Sequence, residues 1–407
     1  MDEGKSALTT RTPAAPRITT NRQLVPPLLC FSHLRWNFVY QRPQHLMTRA
    51  AQDRRVVFWE EPIQAEPGED APRLALNVVE GGVTVATPVL PPHYGQSEAD
   101  AAQRLMLNRL TRAYRLQDAV LWFYTPAALS FAAELCLRHT VVYDCMDELS
   151  AFLGADPSLP QREQVLLNYA DVVFTGGFSL YEAKRHQHNN VHPFPSGVDL
   201  AHFRPARKRL PDPQDQRGIL TPRLGFYGVI DERLDIPLLA EIAAARPDWQ
   251  LVLVGPVVKI DRSLLPQADN IHYLGGKDYR DLPVYLSNWN VALMPFARND
   301  ATHFISPTKT PEYLAGGKPV VSTPIPDVVR HYGHATAVRI AASAEDFIKG
   351  VEEMLLLSEQ PVSWLPKTDE MLAASSWNNI WDRMSGLITA AAARRETSVS
   401  RERAQVS

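Results

Sequence analysis

The sequence is poor in cysteine and in net charge, and it lacks a long uninterrupted apolar run. Its cysteines, Cys30, Cys136 and Cys145, form no CxxC pair and no disulfide framework, which fits a reducing cytoplasm. A net charge of −3 without a long basic run argues against nucleic acid as a partner. The most apolar stretch, 119–136, is interrupted by Pro126, so we expect no membrane span. Residues 1–24 contain no apolar core and are therefore no signal peptide.

What is present is an ordinary globular composition and a repeated alternation of short apolar runs with helical segments. A length of 407 residues predicts two to three domains or one bilobed protein. The alternation runs from the first predicted strand, 28–32, to about residue 203, and it starts again at 223–227. Such a βαβ succession predicts an α/β protein with parallel sheets covered on both faces.

The most informative stretch is 305–322, which predicts a loop, a short helix, a glycine stop and a buried strand. Ser306 or Thr308 is suited to cap the helix start. A helix N-terminus beside Lys309 favours an anion, above all a phosphate. Glu312 follows about one turn into the helix.

This stretch reads ISPTKTPEYLAGGKPVVS, and it resembles the nucleotide-sugar signature of the group 1 (family four) glycosyltransferases. The phrase Ser196-Gly197-Val198-Asp199, followed by Phe203, resembles the family's sequence at the junction of its two halves. The resemblance implies that Glu312 binds the donor ribose and that the preceding loop and helix start bind its diphosphate. Phe304 stands where the family usually carries a second glutamate, close to the donor sugar.

The implied fold is GT-B, in which two Rossmann-like domains face a cleft and a C-terminal helix crosses back to the first domain. The predicted divisions are a disordered tail at 1–24, an acceptor-side domain at 25–203, a linker at 204–222, a nucleotide-sugar domain at 223–367, a crossover helix at 368–393 and a disordered tail at 394–407.

The donor site is predicted at strand ends of the second domain, where open α/β sheets bind ligands. Arg233 and Lys309 are the expected cations on the diphosphate leaving group, whose developing charge they would stabilise. A solvated Arg233 paired with a neighbouring aspartate is the alternative. The remaining predicted donor contacts are Gly228, Ser306, Thr308 and Gly275.

The catalytic residue is predicted in the first domain, after the strand that ends at Asp144. Asp144 and Asp147 could supply a general base, and His33, at the end of the first strand, could act near neutral pH. The alternatives are that Asp147 caps a helix and that His33 is structural. No metal site is expected, because the predicted phosphate cations lie in the other domain.

Arg35, Trp36 and Arg42, at the start of the first domain, are the predicted acceptor-side residues, and His33, Arg35 and Arg42 are expected to act as a group. The arginines of the helix at 97–115 suit contact with an anionic inner-membrane surface, although a solvated helix face is the simpler interpretation.

Together these features predict a cytoplasmic enzyme that transfers a hexose from a nucleoside-diphosphate sugar, such as a UDP-sugar, to a glycan or a lipid-linked acceptor. The resemblance implies surface polysaccharide synthesis with retention of configuration and without a further cofactor. Two alternatives remain, namely a nucleotide-sugar epimerase of the same fold and a non-catalytic protein that binds nucleotide or sugar.

Overall fold

The computed structural model describes residues 25–406, with side chains described through residue 397. Within these residues the chain forms two parallel-sheet units. The predicted tail at 1–24 lies outside the described residues.

The first unit is built on a mixed sheet with the order β3-β5-β2-β1-β6-β7-β8-β9. Its strands are β1 (Leu28–Phe31), β2 (Val56–Trp59), β3 (Ile63–Gln64), β4 (Arg73–Val78), β5 (Thr84–Leu90), β6 (Val120–Phe123), β7 (Val141–Cys145), β8 (Val172–Thr175) and β9 (Val191–Pro193). Its helices are α1 (Arg42–Ala50), α2 (Gln96–Ala113), α3 (Leu129–Cys136), α4 (Leu159–Tyr169), α5 (Phe178–Lys184) and α6 (Leu200–Phe203). Only β4 pairs antiparallel among these described strands, and it forms a hairpin with β5.

The second unit is built on a fully parallel sheet with the order β12-β11-β10-β13-β14-β15. Its strands are β10 (Arg223–Tyr227), β11 (Gln250–Val254), β12 (Ile271–Gly275), β13 (Val291–Met294), β14 (Val320–Ser322) and β15 (Val338–Ile340). Its helices are α7 (Ile236–Ala245), α8 (Leu282–Ser287), α9 (Asp300–His303), α10 (Lys309–Ala315), α11 (Pro326–Tyr332), α12 (Ala344–Ser358) and α13 (Leu365–Ala373), and the chain ends in α14 (Trp377–Val406).

Each central strand is apolar on both faces because helices cover both sides of the sheet. In the first unit, β1 alternates Leu29 and Phe31 into one core and Leu28 and Cys30 into the other. This continuous burial explains why its strands are recognisable in the sequence.

The segment at 204–222 is packed rather than free. Ala206 and Gln216 are fully buried against the second unit, and the guanidinium of Arg223 pairs with Asp212 at 2.7 Å. The indole N–H of Trp289 also donates a hydrogen bond to Gln216. The segment therefore forms part of the second unit's surface.

The last helix returns to the first unit, as the resemblance implies. Trp377 and Trp381 lie in the core of the first sheet, together with Ile380, Met384, Ile388 and Ala391. The predicted disordered tail is wrong for residues 394–406, because α14 continues through them. Arg395 stabilises this extension through an ion pair with Asp171 at 3.1 Å. Within residues 25–406, no helix is both long and apolar enough to span a bilayer.

Candidate active site

The carboxyl ends of the central strands in both sheets face one cleft, which contains a cavity of about 730 Å³. The first unit contributes the ends of β1, β2 and β7 to its lining, and the second unit contributes the loops after β10 and β11. Ligands of open α/β sheets bind at such strand ends. The size of the cavity suits a small-molecule substrate.

Gly228, directly after β10, allows a lysine to cross the end of the strand. Its φ is +145°, and an added Cβ would lie 2.2 Å from Cε of Lys309. Lys309 begins α10, and its ammonium lies 5.8 Å from the ring centres of Phe226 and Phe296. Burial and the charge of Arg233 lower the pKa of Lys309. The lysine is thus held in a desolvated position where a bound anion would stabilise its charge.

Arg233 lines the cavity while it is paired with Asp231. Its Nη2 lies 2.6 Å from Oδ2 of the aspartate, and its Nε contacts both carboxylate oxygens. The predicted alternative of a paired arginine therefore describes this geometry correctly. The pairing fixes the guanidinium in direction, and it still borders the cavity.

Glu312 lies one turn into α10 and is only 4% exposed. The hydroxyl of Tyr227 donates a hydrogen bond of 2.9 Å to its Oε2. Burial raises the pKa of Glu312, while the Tyr227 hydroxyl and Lys309 oppose that rise. Ribose binding by Glu312 stays a prediction.

Ser306, Thr308 and Gly275 lie outside the cavity lining, as do Gly228, Lys309 and Glu312. The carbonyl oxygen of Ser306 accepts a hydrogen bond of 2.8 Å from the Ser196 hydroxyl. Thr308 occupies the position before α10, but its side chain makes no capping hydrogen bond. Gly275 ends β12 with a φ of +69° and is exposed. The capping prediction is therefore wrong, while the three donor contacts remain predictions.

Asp147 lines the cavity from the opposite unit. Burial raises the pKa of its carboxyl to about 6, although Arg233, Arg42 and Lys309 act to lower it. It does not cap a helix, since the short turn that follows starts from Glu148. A carboxyl with this pKa in a cleft is a candidate general base.

His33 also lines the cavity, and its Nδ1 is buried without a hydrogen-bond partner among the described residues. Burial, together with the charge of Lys259, lowers the pKa of His33 to about 4. The imidazole is therefore neutral at pH 7 and able to accept a hydrogen bond, but it is too weak a base to support the predicted role as a proton acceptor near neutral pH.

Asp144 and Arg42 form a buried ion pair with each other and do not line the cavity. Asp144 is 0% exposed, and it accepts hydrogen bonds from Nε and Nη2 of Arg42 at 2.8 to 3.2 Å. Nη1 of Arg42 donates to the carbonyl of Phe194 at 2.8 Å. The predictions of a catalytic Asp144 and an acceptor-binding Arg42 are corrected, because this ion pair links α1 to β7 inside the first unit.

Trp36 is likewise a core residue rather than an acceptor contact. It is 9% exposed, packs edge-on against Phe58 and donates its backbone N–H to Glu60. Arg35 lies nearer the surface, where Nη2 donates a hydrogen bond of 2.9 Å to the carbonyl of Pro62. Of the acceptor group, Arg35 alone keeps a half-exposed side chain.

Two cleft groups escaped the sequence-based prediction. Phe152, on the loop after β7, brings its ring within 5.4 Å of the Arg233 guanidinium and 5.0 Å of the Lys259 ammonium. Gln103 of α2 is 5% exposed and lines the same cavity. The position of Phe152 just after a predicted strand end was an available signal, whereas Gln103 carried none.

Comparison with known proteins finds similarity to glycosyltransferases in sequence and in fold. Residues 221–356 match the family model described as glycosyl transferases group 1, which includes Gly228, Arg233, Lys309 and Glu312. This match lies within the second unit. The "Putative teichuronic acid biosynthesis glycosyltransferase TuaH" of Bacillus subtilis (strain 168) is 27% identical over 240 residues. That alignment covers 54% of this chain and 59% of the length of TuaH.

Solved structures establish the GT-B fold of the whole described chain. Sucrose-phosphate synthase from Thermosynechococcus elongatus aligns with a TM-score of 0.69 at 15% identity, over 90% of this chain and 99% of that one. HepE of Anabaena, in complex with UDP and glucose, aligns with a TM-score of 0.61 at 12% identity, over 90% and 100% of the chains. At such identities the likeness concerns the fold alone.

Phe304 marks where the second unit departs from the signature of the family that it resembles. It follows α9 and packs against the core of the first unit that contains Phe31 and Leu180. At the position where the signature has a carboxylate, this chain thus has an aromatic side chain that contacts the first unit. The departure adds an apolar contact between the two units.

Proposed function

We propose that this protein transfers a hexose from a nucleoside-diphosphate sugar to a glycan or a lipid-linked acceptor in surface polysaccharide synthesis. It would act on the cytoplasmic side of the inner membrane and retain the configuration of the donor sugar. The second domain would hold the donor, and the first would present the acceptor.

The observation that carries the proposal is that Lys309 crosses the end of β10 at Gly228 and is close enough to Arg233 and Glu312 to interact with both charges. A diphosphate leaving group gains negative charge as the glycosidic bond breaks, and two preorganised cations would stabilise it. Glu312 would accept hydrogen bonds from the ribose hydroxyls. Asp147, across the cavity, is the candidate to accept the proton of the acceptor hydroxyl.

UDP is the first nucleotide to test. HepE is a complex with UDP and glucose, and another neighbour from E. coli, aligned with a TM-score of 0.63, is bound with UDP-2-fluoro glucose. The proposal that this chain shares that nucleotide rests on the common fold and on the cation cluster.

Thermal unfolding in the presence of UDP, GDP, ADP and dTDP tests the donor site. A nucleotide at about a hundred times its Kd adds about 2.7 kcal/mol to the free energy of unfolding. At about 2–4 °C per kcal/mol, the melting temperature should rise by roughly 5–10 °C with the correct nucleotide. No rise with any of the four would contradict the proposal.

Glu312→Gln tests the ribose contact, because the amide keeps the volume and one acceptor oxygen for Tyr227. We expect weaker nucleotide binding with the fold intact. Glu359→Gln, an exposed position at the end of α12, is the matched control. Equal affinity in Glu312→Gln and the control would exclude the ribose role.

A non-catalytic nucleotide-binding protein is the second candidate, and Phe304 favours it. That candidate predicts nucleotide binding without turnover. Incubation of the bound UDP-sugar with acceptor glycans separates the two functions, and incubation of the donor alone detects epimerisation. The anomeric proton of any product, observed by NMR, reports retention or inversion.

The proposed membrane contact would use the outer face of α2. Met106, Leu107 and Leu110 pack into the first unit, while Arg109 and Arg112 are exposed. Cosedimentation with vesicles containing 30% anionic lipid should therefore weaken as salt rises. Equal binding to neutral vesicles, or none to anionic ones, would contradict this contact.

A further inference from the structure

The two walls of the cavity carry opposite charge. The wall from the second unit has Arg233 and Lys259 beside Asp231. The wall from the first unit has five carboxylates, from Glu60, Glu61, Asp100, Asp147 and Asp156, and its one lining guanidinium, Arg162, lies 3.9 Å from Asp156. A negatively charged ligand group would therefore be attracted to one wall and repelled by the other.

Gln103 provides a built polar contact on the first wall. It is 5% exposed, and its Oε1 accepts a hydrogen bond of 3.4 Å from the indole of Trp59. Its amide nitrogen makes no hydrogen bond with another described residue. The amide nitrogen is therefore able to donate a hydrogen bond to a ligand or to water. The lining of the cavity by Gln103 supplies that opportunity.

Acceptor groups for hydroxyls lie on the same wall. Oδ1 of Asp100 receives hydrogen bonds from Ser130 and Gln96 at 2.8 and 3.0 Å, which leaves its Oδ2 available. Glu61 is exposed at the end of β2 and accepts no hydrogen bond from the described residues. Carboxylate oxygens that only accept hydrogen bonds suit hydroxyl or amine donors and repel phosphate.

An apolar surface accompanies these polar groups. Phe38 is 48% exposed and lines the cavity, above a floor formed by Phe31, Trp59 and Phe131. A sugar ring presents hydroxyls at its edge and C–H groups on its face, so a wall that combines aromatic surface with hydrogen-bonding groups matches it.

Two arginines of the first unit lie close to this wall without lining it. The guanidinium of Arg35 donates to the carbonyl of Pro62, and that of Arg104 donates to the carbonyl of Ser130, each at 2.9 Å. Arg35 also lies 3.7 Å from a carboxylate oxygen of Glu60, so it offsets part of the charge at Glu60 and Glu61. Five carboxylates against Arg162 and Arg35 leave the wall negatively charged.

We propose that the first wall is the subsite for an uncharged, hydroxyl-bearing acceptor sugar, and that it rejects the phosphorylated or carboxylated form of that sugar. The proposal rests on the proposed transferase function, because only a transferase has an acceptor. The subsite consists of Gln103, Asp100, Glu61 and Phe38.

Ligand-observed NMR of the full chain, with and without saturating UDP, tests the subsite. The probes are methyl glycosides of glucose, galactose and mannose, each paired with its 6-phosphate and its uronate. The affinities of a glycoside and its own anionic derivative are compared, so a preference for one sugar configuration does not affect the result. We expect the uncharged member of at least one pair to bind at least about tenfold more tightly, because a unit charge a few ångströms from a carboxylate is repelled by about that factor or more.

Glu61→Lys supplies the charge test at an exposed position that should not disturb folding. In this variant the ratio of the affinities for the uncharged and the anionic probe should fall by about tenfold. Glu359→Lys makes the same change of charge outside the cavity lining and should leave that ratio unchanged. Equal narrowing in both variants would overturn the subsite.

The outcomes separate this proposal from the transferase proposal. Tighter binding of an anionic probe, or no binding of any uncharged probe while UDP still binds, would overturn the subsite alone. Preference for uncharged probes without binding of any nucleotide would overturn the transferase and leave a sugar-binding wall. Failure of both ligand classes would overturn both.

Discussion

The two sheets border the same cleft, but different interactions position the charged groups at their edges. At the edge of the second sheet, backbone geometry brings the charged groups together, since Gly228 gives Lys309 its space. At the edge of the first sheet, side-chain pairs set the geometry, since Arg42 holds Asp144 below the surface. The second edge is therefore sensitive to a single added methyl group. The first is sensitive to the loss of a partner charge.

Arg42→Met should have the largest effect on stability, and it tests the construction of the first edge. The substitution leaves Asp144 buried without its ion-pair partner, which costs about 3–5 kcal/mol. Urea denaturation measures the loss. The double variant Arg42→Met with Asp144→Leu should recover most of it. A loss under about 1 kcal/mol, together with abolished turnover, would return both residues to a substrate role.

Gly228→Ala should have the largest effect on donor binding, and it tests the second edge. The added Cβ would displace Lys309 and strain a backbone whose φ is +145°. Because Lys309 would also stabilise the leaving group in the transition state, its displacement should lower kcat, and the loss of one such contact typically lowers kcat by about 10²–10³-fold. Steady-state kinetics with the identified donor measures it.

Gly82→Ala is the matched control, because Gly82 has a φ of +81° and open space around its Cβ position. It carries backbone strain without a clash at the site. Similar kinetic losses in the two variants would show that strain, rather than displacement of Lys309, is responsible.

Phe152→Ala tests how the two edges meet. The Phe152 ring contacts the cations of Arg233 and Lys259, so a diphosphate must replace these contacts. At about 0.5–1 kcal/mol for a cation–π contact at an exposed site, the variant should bind nucleotide about two- to fivefold more tightly. Titration calorimetry measures the affinity. Weaker binding would instead assign Phe152 to the donor site itself.

Asp147→Asn should have the smallest effect, and its sign depends on pH. Because the folded pKa of Asp147 is raised to about 6, its ionised form is disfavoured in the folded state. Its contribution to stability is thus complete below about pH 4 and is lost as pH rises through 6. Removing the charge should raise the melting temperature at pH 8 by about 2–4 °C, on the order of 1 kcal/mol after solvent screening, and should not raise it at pH 4.

Asp156→Asn is the control of opposite sign, since hydrogen bonds from Ser158 lower the pKa of Asp156. That variant should not become more stable at pH 8. If Asp147 is the general base, turnover of the wild type should also fall below about pH 6. Unchanged turnover at pH 5 would exclude that role.

The alternation of elements and the second edge were predictable because their signals are local. A buried strand is a short apolar run, and the signature around Glu312 places its lysine, glutamate and glycines within a dozen residues. The helices α4 and α11 are harder to predict, because each has a short apolar face among polar residues.

The first edge was less predictable because its pairings join distant parts of the chain. Arg42 and Asp144 are 102 residues apart, and nothing in either local sequence indicates the other. Trp36 was taken for an acceptor contact because aromatic density is equally compatible with a core. The end of α14 was mistaken for a tail because the pairing of Arg395 with Asp171 spans 224 residues.

The placement of Trp377, Trp381 and Met384 in the core of the first sheet also has a consequence for synthesis on the ribosome. The sheet that begins at Leu28 lacks part of its covering layer until α14 has been translated. At about 5–20 residues per second, the stretch from the last strand of this sheet, which ends at Pro193, to Ala391 of α14 takes roughly 10–40 s. The apolar face of the nascent first sheet should therefore be prone to aggregation until α14 has been translated.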